Sequence, residues 1–356
     1  MTRSIQIPAR ALEYCTSALL AMPAQRLHDL HSLLPPIWNA YSVPQATALG
    51  PYLPVPKPAV DRVREMLEEL QYSRAVADAV DAVSIVQLRS DIRWLAGEDE
   101  DSPIVSRHSF AEGSRYAASW MKDIVETTGA TCEVQPFLIG FAPNLICRYP
   151  AATNTTATVV LGAHYDSRGS FGSPRAPGAD DNGSGTVGVL SIARLIGSKG
   201  IEFKSNVELA LFAGEEQGLL GSKHYAKQLR EVNKNVTFML QADSVAYRTP
   251  GTQSQLGLPD LIGTPEAAQL VGNISNLYSP ELHVGYTPVC CSDHQSFHEQ
   301  GFPATWIYES AGPVIDPMYH NSGDLSDRIG YDFNQLRSAV KVMVCPLPVN
   351  LFQLRT

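Results

Sequence analysis

The sequence predicts an α/β fold with a mixed, mostly parallel central sheet and helices on both faces. Two observations point there: short apolar runs of strand length alternate with stretches of helix length, and acid- or histidine-rich segments follow the ends of the apolar runs. A third bounds the answer. With 356 residues, 44% hydrophobic and 18% charged, the chain can bury one large domain plus an appendage, and it is too apolar for long disordered tails.

Taken in order, residues 10–34 carry apolar positions compatible with a short helix. Seven prolines then fall between Pro35 and Pro58, a density that no helix or central strand tolerates, so this stretch reads as an extended linker. Residues 61–70 and 76–95 read as helical, with Val76, Val80, Val83 and Leu88 spaced for one buried face. This divides the chain into a propeptide-like segment with its proline-rich linker, 1–72, and a main domain, 73–356. Within the latter, 132–137 and 145–149 suit an antiparallel hairpin joined to the sheet. The runs 157–162 (ATVVLG), 207–212 (VELALF), 236–241 (VTFMLQ) and 304–308 (ATWIY) read as strands, with helices over 185–196 and 219–229.

Several classes of function are excluded or disfavoured. The formal charge, 27 − 36 = −9, argues against nucleic acid and against an anionic membrane surface as partners. No apolar run approaches the ~18 residues of a membrane helix, and no signal peptide is visible at the N-terminus. Six cysteines without a C-x-x-C pair are too few for a disulfide scaffold and offer no thiolate zinc site. Sequons at Asn154, Asn182, Asn235 and Asn273 favour a secreted protein only slightly.

In open α/β sheets, ligands bind beyond the carboxyl ends of the strands. Those ends read AHYDS (163–167), AGEEQ (213–217) and ADS (242–244), with a Gly-rich loop PGADDNGSG (177–185) and a late MYHNSGD (318–324). One such carboxylate or imidazole is usually a cap or a satisfied loop group. The whole set would crowd acids into one crevice, where they repel one another unless cations sit among them. Nitrogen and oxygen donors without thiolates suit zinc, with manganese or cobalt as alternatives, and a bridging carboxylate lets five side chains hold two ions. There is no H-E-x-x-H and no G-x-S-x-G, so helix-borne zinc peptidases and a serine nucleophile elbow are not indicated.

The ordered motifs GAHYDS, APGADDNGSG, GEEQGLLGS, QADS and MYHNSGD resemble those of the M28 family of zinc aminopeptidases, including fungal and bacterial leucine aminopeptidases, over residues 75–356. The resemblance implies a zinc-dependent exopeptidase fold of the phosphorylase/hydrolase-like type. It makes Asp180 the carboxylate bridging two Zn²⁺ ions, with His164 and Asp243 completing one site and Glu216 and His320 the other. Glu215 becomes the general base and Asp166 a carboxylate that orients His164 without touching metal. The implied reaction is hydrolysis of the N-terminal peptide bond of peptides with a free N-terminus by a metal-bound hydroxide, favouring apolar N-terminal residues, in a secreted or vacuolar protein.

One departure stands out. Where many secreted members carry C-x-Y-x-C, with a disulfide and a tyrosine donor to the reacting carbonyl, residues 287–291 read Thr-Pro-Val-Cys-Cys. Tyr286, next to this loop, is the candidate substitute donor. His294, in the following S-D-H, is expected to be structural. The alternatives are a glutaminyl-peptide cyclotransferase-like enzyme with one zinc, and a non-catalytic binding domain on a peptidase fold, the latter disfavoured because every ligand position and Glu215 are present.

Overall fold

The computed structural model describes residues 53–344 and the backbone of residues 353–354. The helix expected within 10–34, and the linker as far as residue 52, lie outside the described residues. Among the described residues four helices come first: α1 (Lys57–Glu69), α2 (Arg74–Val80), α3 (Ile85–Leu95) and α4 (Glu112–Glu126). Then follow β1 (Thr131–Gln135), β2 (Asn144–Tyr149), β3 (Thr158–His164), α5 (Gly183–Lys199), β4 (Ile201–Glu202), β5 (Asn206–Phe212), α6 (Leu220–Glu231) and β6 (Val236–Ala242). The last are β7 (Gln255–Pro259), α7 (Pro265–Tyr278), β8 (His283–Thr287), α8 (His294–Glu299), β9 (Ala304–Ile307), α9 (Phe333–Val344) and β10 (Gln353–Leu354).

Among the described residues the main sheet has the order β1-β2-β5-β3-β6-β9. Strands β5, β3, β6 and β9 are parallel, while β2 runs antiparallel to both β1 and β5. The expected mixed, mostly parallel sheet is therefore present. The apolar runs alternate between two cores, as period two requires: Val159 and Leu161 of β3 belong to one cluster, with Val187 and Leu190 of α5, and Val160 belongs to the other, with Tyr225 of α6 and Phe297 of α8. Covering both faces is what makes these strands read as unbroken hydrophobic runs. From β3 the chain passes to β5 on one side and later to β6 on the other, so a crevice opens at the carboxyl end of β3. A disulfide, Cys132–Cys147, joins directly opposed residues of β1 and β2.

Two expectations about the N-terminal part change. Residues 76–95 are two helices rather than one, because Ser84 is extended and its Oγ accepts from Gln87 N at 3.2 Å, capping α3 afresh. The boundary drawn at 72/73 also crosses packed structure. In α1, Val63 is fully buried and Arg64 Nη2 reaches Glu266 of α7 at 2.6 Å, and the described residues from Leu53 onward fall in one compact unit.

Candidate metal centre

His164 ends the central strand β3, and its Nε2 lies 3.3 Å from Asp243 Oδ2, just past β6, and 3.5 Å from Asp181 Oδ1. On the other side of Asp181, His320 Nε2 lies 3.1 Å from Asp181 Oδ2 and 3.4 Å from Glu216 Oε2. The result is two donor triads, His164–Asp181–Asp243 and Asp181–Glu216–His320, sharing one carboxylate. Donors about 2 Å from a tetrahedral ion stand about 3.3 Å apart, so the spacing fits a cation in each triad. The donor chemistry fits too: one imidazole and two carboxylates per triad, with Glu216 Oε1 buried and lacking any hydrogen-bond partner among the described residues.

The charges tell the same story. Burial first, then the charge of Asp243, against the opposing pull of His164, raises Asp181 to about 8. Burial and Asp181, opposed by His320, raise Glu216 to about 8. The Glu215 carboxyl is pushed well above the carboxylate range by burial and by Asp243 and Glu216, again against His164. Burial alone would lower His164, yet Asp243 and Glu215 outweigh it and hold the imidazole well above its usual range; burial likewise opposes the drop in Asp243, which His164 brings about. Carboxylates kept apart from water and so close together call for cations or protons.

The carboxylate shared by the two triads is that of Asp181, not that of Asp180, which was expected there. Asp180 turns the other way: its Oδ1 accepts from Ala246 N at 2.8 Å and its Oδ2 from Tyr247 N at 3.2 Å, beside the buried Glu309 and Asp316. The loop fixes this choice. Asp324 accepts from the amides of both Asp180 and Asp181 at 3.0 Å, while Asn182 caps α5 by accepting from Gly185 N at 3.0 Å, so the two neighbouring side chains leave the backbone in opposite directions.

Asp166 lies behind His164. Its backbone carbonyl is 3.2 Å and its Oδ1 3.6 Å from His164 Nδ1, and its carboxylate accepts from Ser109 Oγ at 2.8 Å and from the amides of Glu215 and Glu216 at 3.3 and 3.4 Å. One carboxylate thus aims the imidazole and pins the turn bearing both glutamates. That turn begins at Gly214, whose φ of +73° suits glycine. Glu215 lines the cavity beside the triads and belongs to neither, with Oε2 3.9 Å from His164 Nε2.

Tyr286 is not brought to this cavity. It lies on β8, is 64% exposed and lines a separate groove with Leu258 and Val284. Strand alternation is the reason: β8 pairs with β7 and buries Thr287, so the preceding residue faces outward. Thr287 ties this loop without the missing disulfide, its Oγ1 donating to Gly312 O at 2.6 Å and accepting from Val289 N at 3.2 Å. Cys290 and Cys291 both line the cavity wall. The His294 ring is buried, its Nε2 is 3.0 Å from Ile262 O, and burial lowers it to about 3.

Sequence reasoning missed other supports. Arg107 is fully buried and donates to the carbonyls of Leu95 at 2.9 Å, Tyr165 at 2.8 Å, Gly178 at 2.7 Å and Pro177, lacing the His164 segment to the Gly-rich loop. Arg328 anchors Asp324 at 2.9 Å and also pairs with Asp316. Asp293 is buried, accepts from Gln241 Nε2 at 2.8 Å, and is raised to about 7 by burial against the pull of His164. No pattern marked the arginines: the partners of Arg107 are backbone carbonyls, and those of Arg328 are two acids of its own segment, Asp316 and Asp324; Asp293 stood beside His294 in a segment set aside as structural.

The family model of peptidase family M28 matches residues 144–344. A probable leucine aminopeptidase of Arthroderma otae is 33% identical over 246 residues, covering 65% of this chain and 64% of that one. The chain thus spans under two thirds of the length of this relative. Among solved structures, the LapA aminopeptidase of Legionella pneumophila superposes with a TM-score of 0.69 at 21% identity, covering 78% of this chain and 72% of that one. The glutaminyl cyclase of Fimbriiglobus ruber gives 0.62 at 18% identity, covering 74% and 94%. Both likenesses concern the fold.

Proposed function

We propose that this chain, which belongs to peptidase family M28, is a metal-dependent aminopeptidase that binds two zinc ions and hydrolyses the first peptide bond of peptides with a free N-terminus. The observation that carries the reading is the pair of donor triads meeting at Asp181 with an uncommitted Glu215 beside them. His164, Asp181 and Asp243 would hold one ion; Asp181, Glu216 and His320 the other. When bound, such ions acidify water, polarise the scissile carbonyl and hold an α-amine.

The remaining work falls to the chain. Glu215 accepts a proton from the attacking water as its oxygen bonds to the carbonyl carbon. It then returns that proton to the amine nitrogen as the C–N bond breaks. Its neighbour Glu216 is engaged at the metal, so the division of labour rests on two adjacent side chains of one turn, both positioned by Asp166. The Cys132–Cys147 disulfide supports a secreted or vacuolar location, and among the described residues no helix is long and apolar enough to cross a membrane.

Metal analysis of the purified protein, with hydrolysis of leucyl and N-acetyl-leucyl substrates, tests the reading. Two zinc ions per chain and cleavage of the free-amine substrate alone are expected. One ion with release of a pyroglutamyl product from glutaminyl peptides would assign the cyclase chemistry instead, and absence of both activities would leave a binding domain.

A further inference from the structure

We propose that Trp306 and Tyr308 make the cavity beside Glu215 selective for an N-terminal residue whose side chain carries an uncharged hydrogen-bond acceptor, a carboxamide carbonyl above all. The inference rests on the aminopeptidase reading and names its substrate class. The cavity is lined on one side by Asp181, Glu215, Asp243 and His320, with Ser244 and Tyr319 beside them, and on its remaining wall by Val289, Cys290, Cys291, Trp306 and Tyr308. An α-amine and scissile carbonyl held at the acid and histidine side leave the substrate's first side chain against that remaining wall.

Trp306 in β9 and Tyr308, just past its end in an extended bridge to Gly257, stand two residues apart and so share a face, with ring centroids 5.3 Å apart. They are 2% and 1% exposed. The indole is held in place: the His294 ring stacks on it at 5.3 Å and 4°, and His294 is itself anchored at the Ile262 carbonyl. Yet Trp306 Nε1 and the Tyr308 hydroxyl, both buried, find no acceptor among the described residues. Indole N–H is a donor only. The phenol is kept protonated by burial and by the nearby acids Glu309, Asp180, Asp181 and Asp243.

Two buried donors without acceptors suit an apolar ligand badly, since each donor left unpaired costs about 1–3 kcal/mol. A leucine side chain would cover them and offer nothing. An asparagine side chain has the same shape and presents a carbonyl oxygen to them, with glutamine reaching further along the same wall. An ammonium group would meet donor with donor. A carboxylate would face the acids that already surround the phenol.

The comparison of leucine with its near-isostere asparagine isolates the acceptor. On the zinc-loaded full chain, kcat/KM is measured for Asn- and Leu-p-nitroanilide, and binding of free L-asparagine and L-leucine by calorimetry. Wild type should take Asn at least as well as Leu. Tyr308→Phe, which keeps the ring, and Trp306→Phe should each lower the Asn-to-Leu ratio at least about tenfold in both measurements. A ratio unmoved in both variants overturns the proposal. So does an equal fall for both substrates, which would put the phenol on the peptide carbonyl common to them. If neither substrate is cleaved while the binding ratio still responds to Tyr308→Phe, the aminopeptidase reading fails and the pocket assignment stands.

Discussion

Asp180 and Asp181 are adjacent, acidic and both buried, and the structure gives them opposite tasks, so exchanging each for asparagine separates metal binding from architecture. Asp181 offers Oδ1 to the His164 side and Oδ2 to the His320 side. Its loss therefore removes one donor of three from each triad, and the charge common to both. Groups one layer outside a metal site are worth about 10- to 100-fold in affinity, so Asp181→Asn should weaken both ions by more than ~100-fold and leave the protein largely metal-free after dialysis. In Asp180→Asn the amide oxygen can still accept one of the two backbone donors at 2.8 and 3.2 Å. The other, where it is Tyr247 N, faces an NH₂ group but keeps its 2.6 Å bond to Glu309 Oε2, so the cost stays at the low end of about 1–3 kcal/mol, and it is further relieved because the Asp180 charge no longer opposes Glu309, whose carboxyl burial and Asp180 hold well above its usual range. Both ions should remain, with a drop in Tm of a few degrees at ~2–4 °C per kcal/mol. Metal content by mass spectrometry after dialysis, alongside thermal unfolding, reads both effects. Loss of both ions in Asp180→Asn, with retention in Asp181→Asn, would refute the assignment.

Three further outcomes are expected. Glu215→Gln should retain both ions and substrate affinity while kcat falls roughly 10²- to 10⁴-fold, checked by steady-state kinetics with metal analysis. Arg107→Met leaves several buried carbonyls without their donor and should destabilise the fold by about 3 kcal/mol or more, read by denaturant unfolding. For the metal-free protein, Asp181 and Glu216, raised to about 8, bind protons that the unfolded chain has already lost. Their stabilising contribution is complete below the unfolded carboxylate range and declines as pH rises toward about 8. The Tm of metal-free protein should fall from about pH 5 to about pH 8, and the increment given by added zinc should widen over the same window; a flat difference would contradict it.

Much of this was legible because the sheet is covered on both faces. Runs such as VVLG and ELALF announce parallel strands, and the polar residues after them must meet at the strand ends. The register within GADDNG was not legible: spacing cannot distinguish two consecutive aspartates, and the choice is made by Asp324, some 140 residues on, which holds their amides. Tyr286 misled for a related reason. Its proximity to the loop in sequence said nothing about which side of β8 it occupies, and the pairing of β8 with β7, absent from the sequence reading, decides that. The edge of the main domain was misplaced because α1 lies close behind a proline-rich stretch, while its buried Val63 and its ion pair to Glu266 are contacts made with a distant helix.

The segment that delivers His320 also delivers Asp324, and Arg328 secures it from four residues further along. This has a bearing on synthesis. While the chain is emerging from the ribosome, β3, β5 and β6 can assemble with His164, Glu216 and Asp243 already made, but one triad still wants its imidazole and the Asp181 loop still wants its anchor. Neither arrives until translation has passed residues 320 and 324, and the clamp on Asp324 follows with Arg328. A nascent chain therefore carries an incomplete centre until the segment bearing His320 and Asp324 has been made.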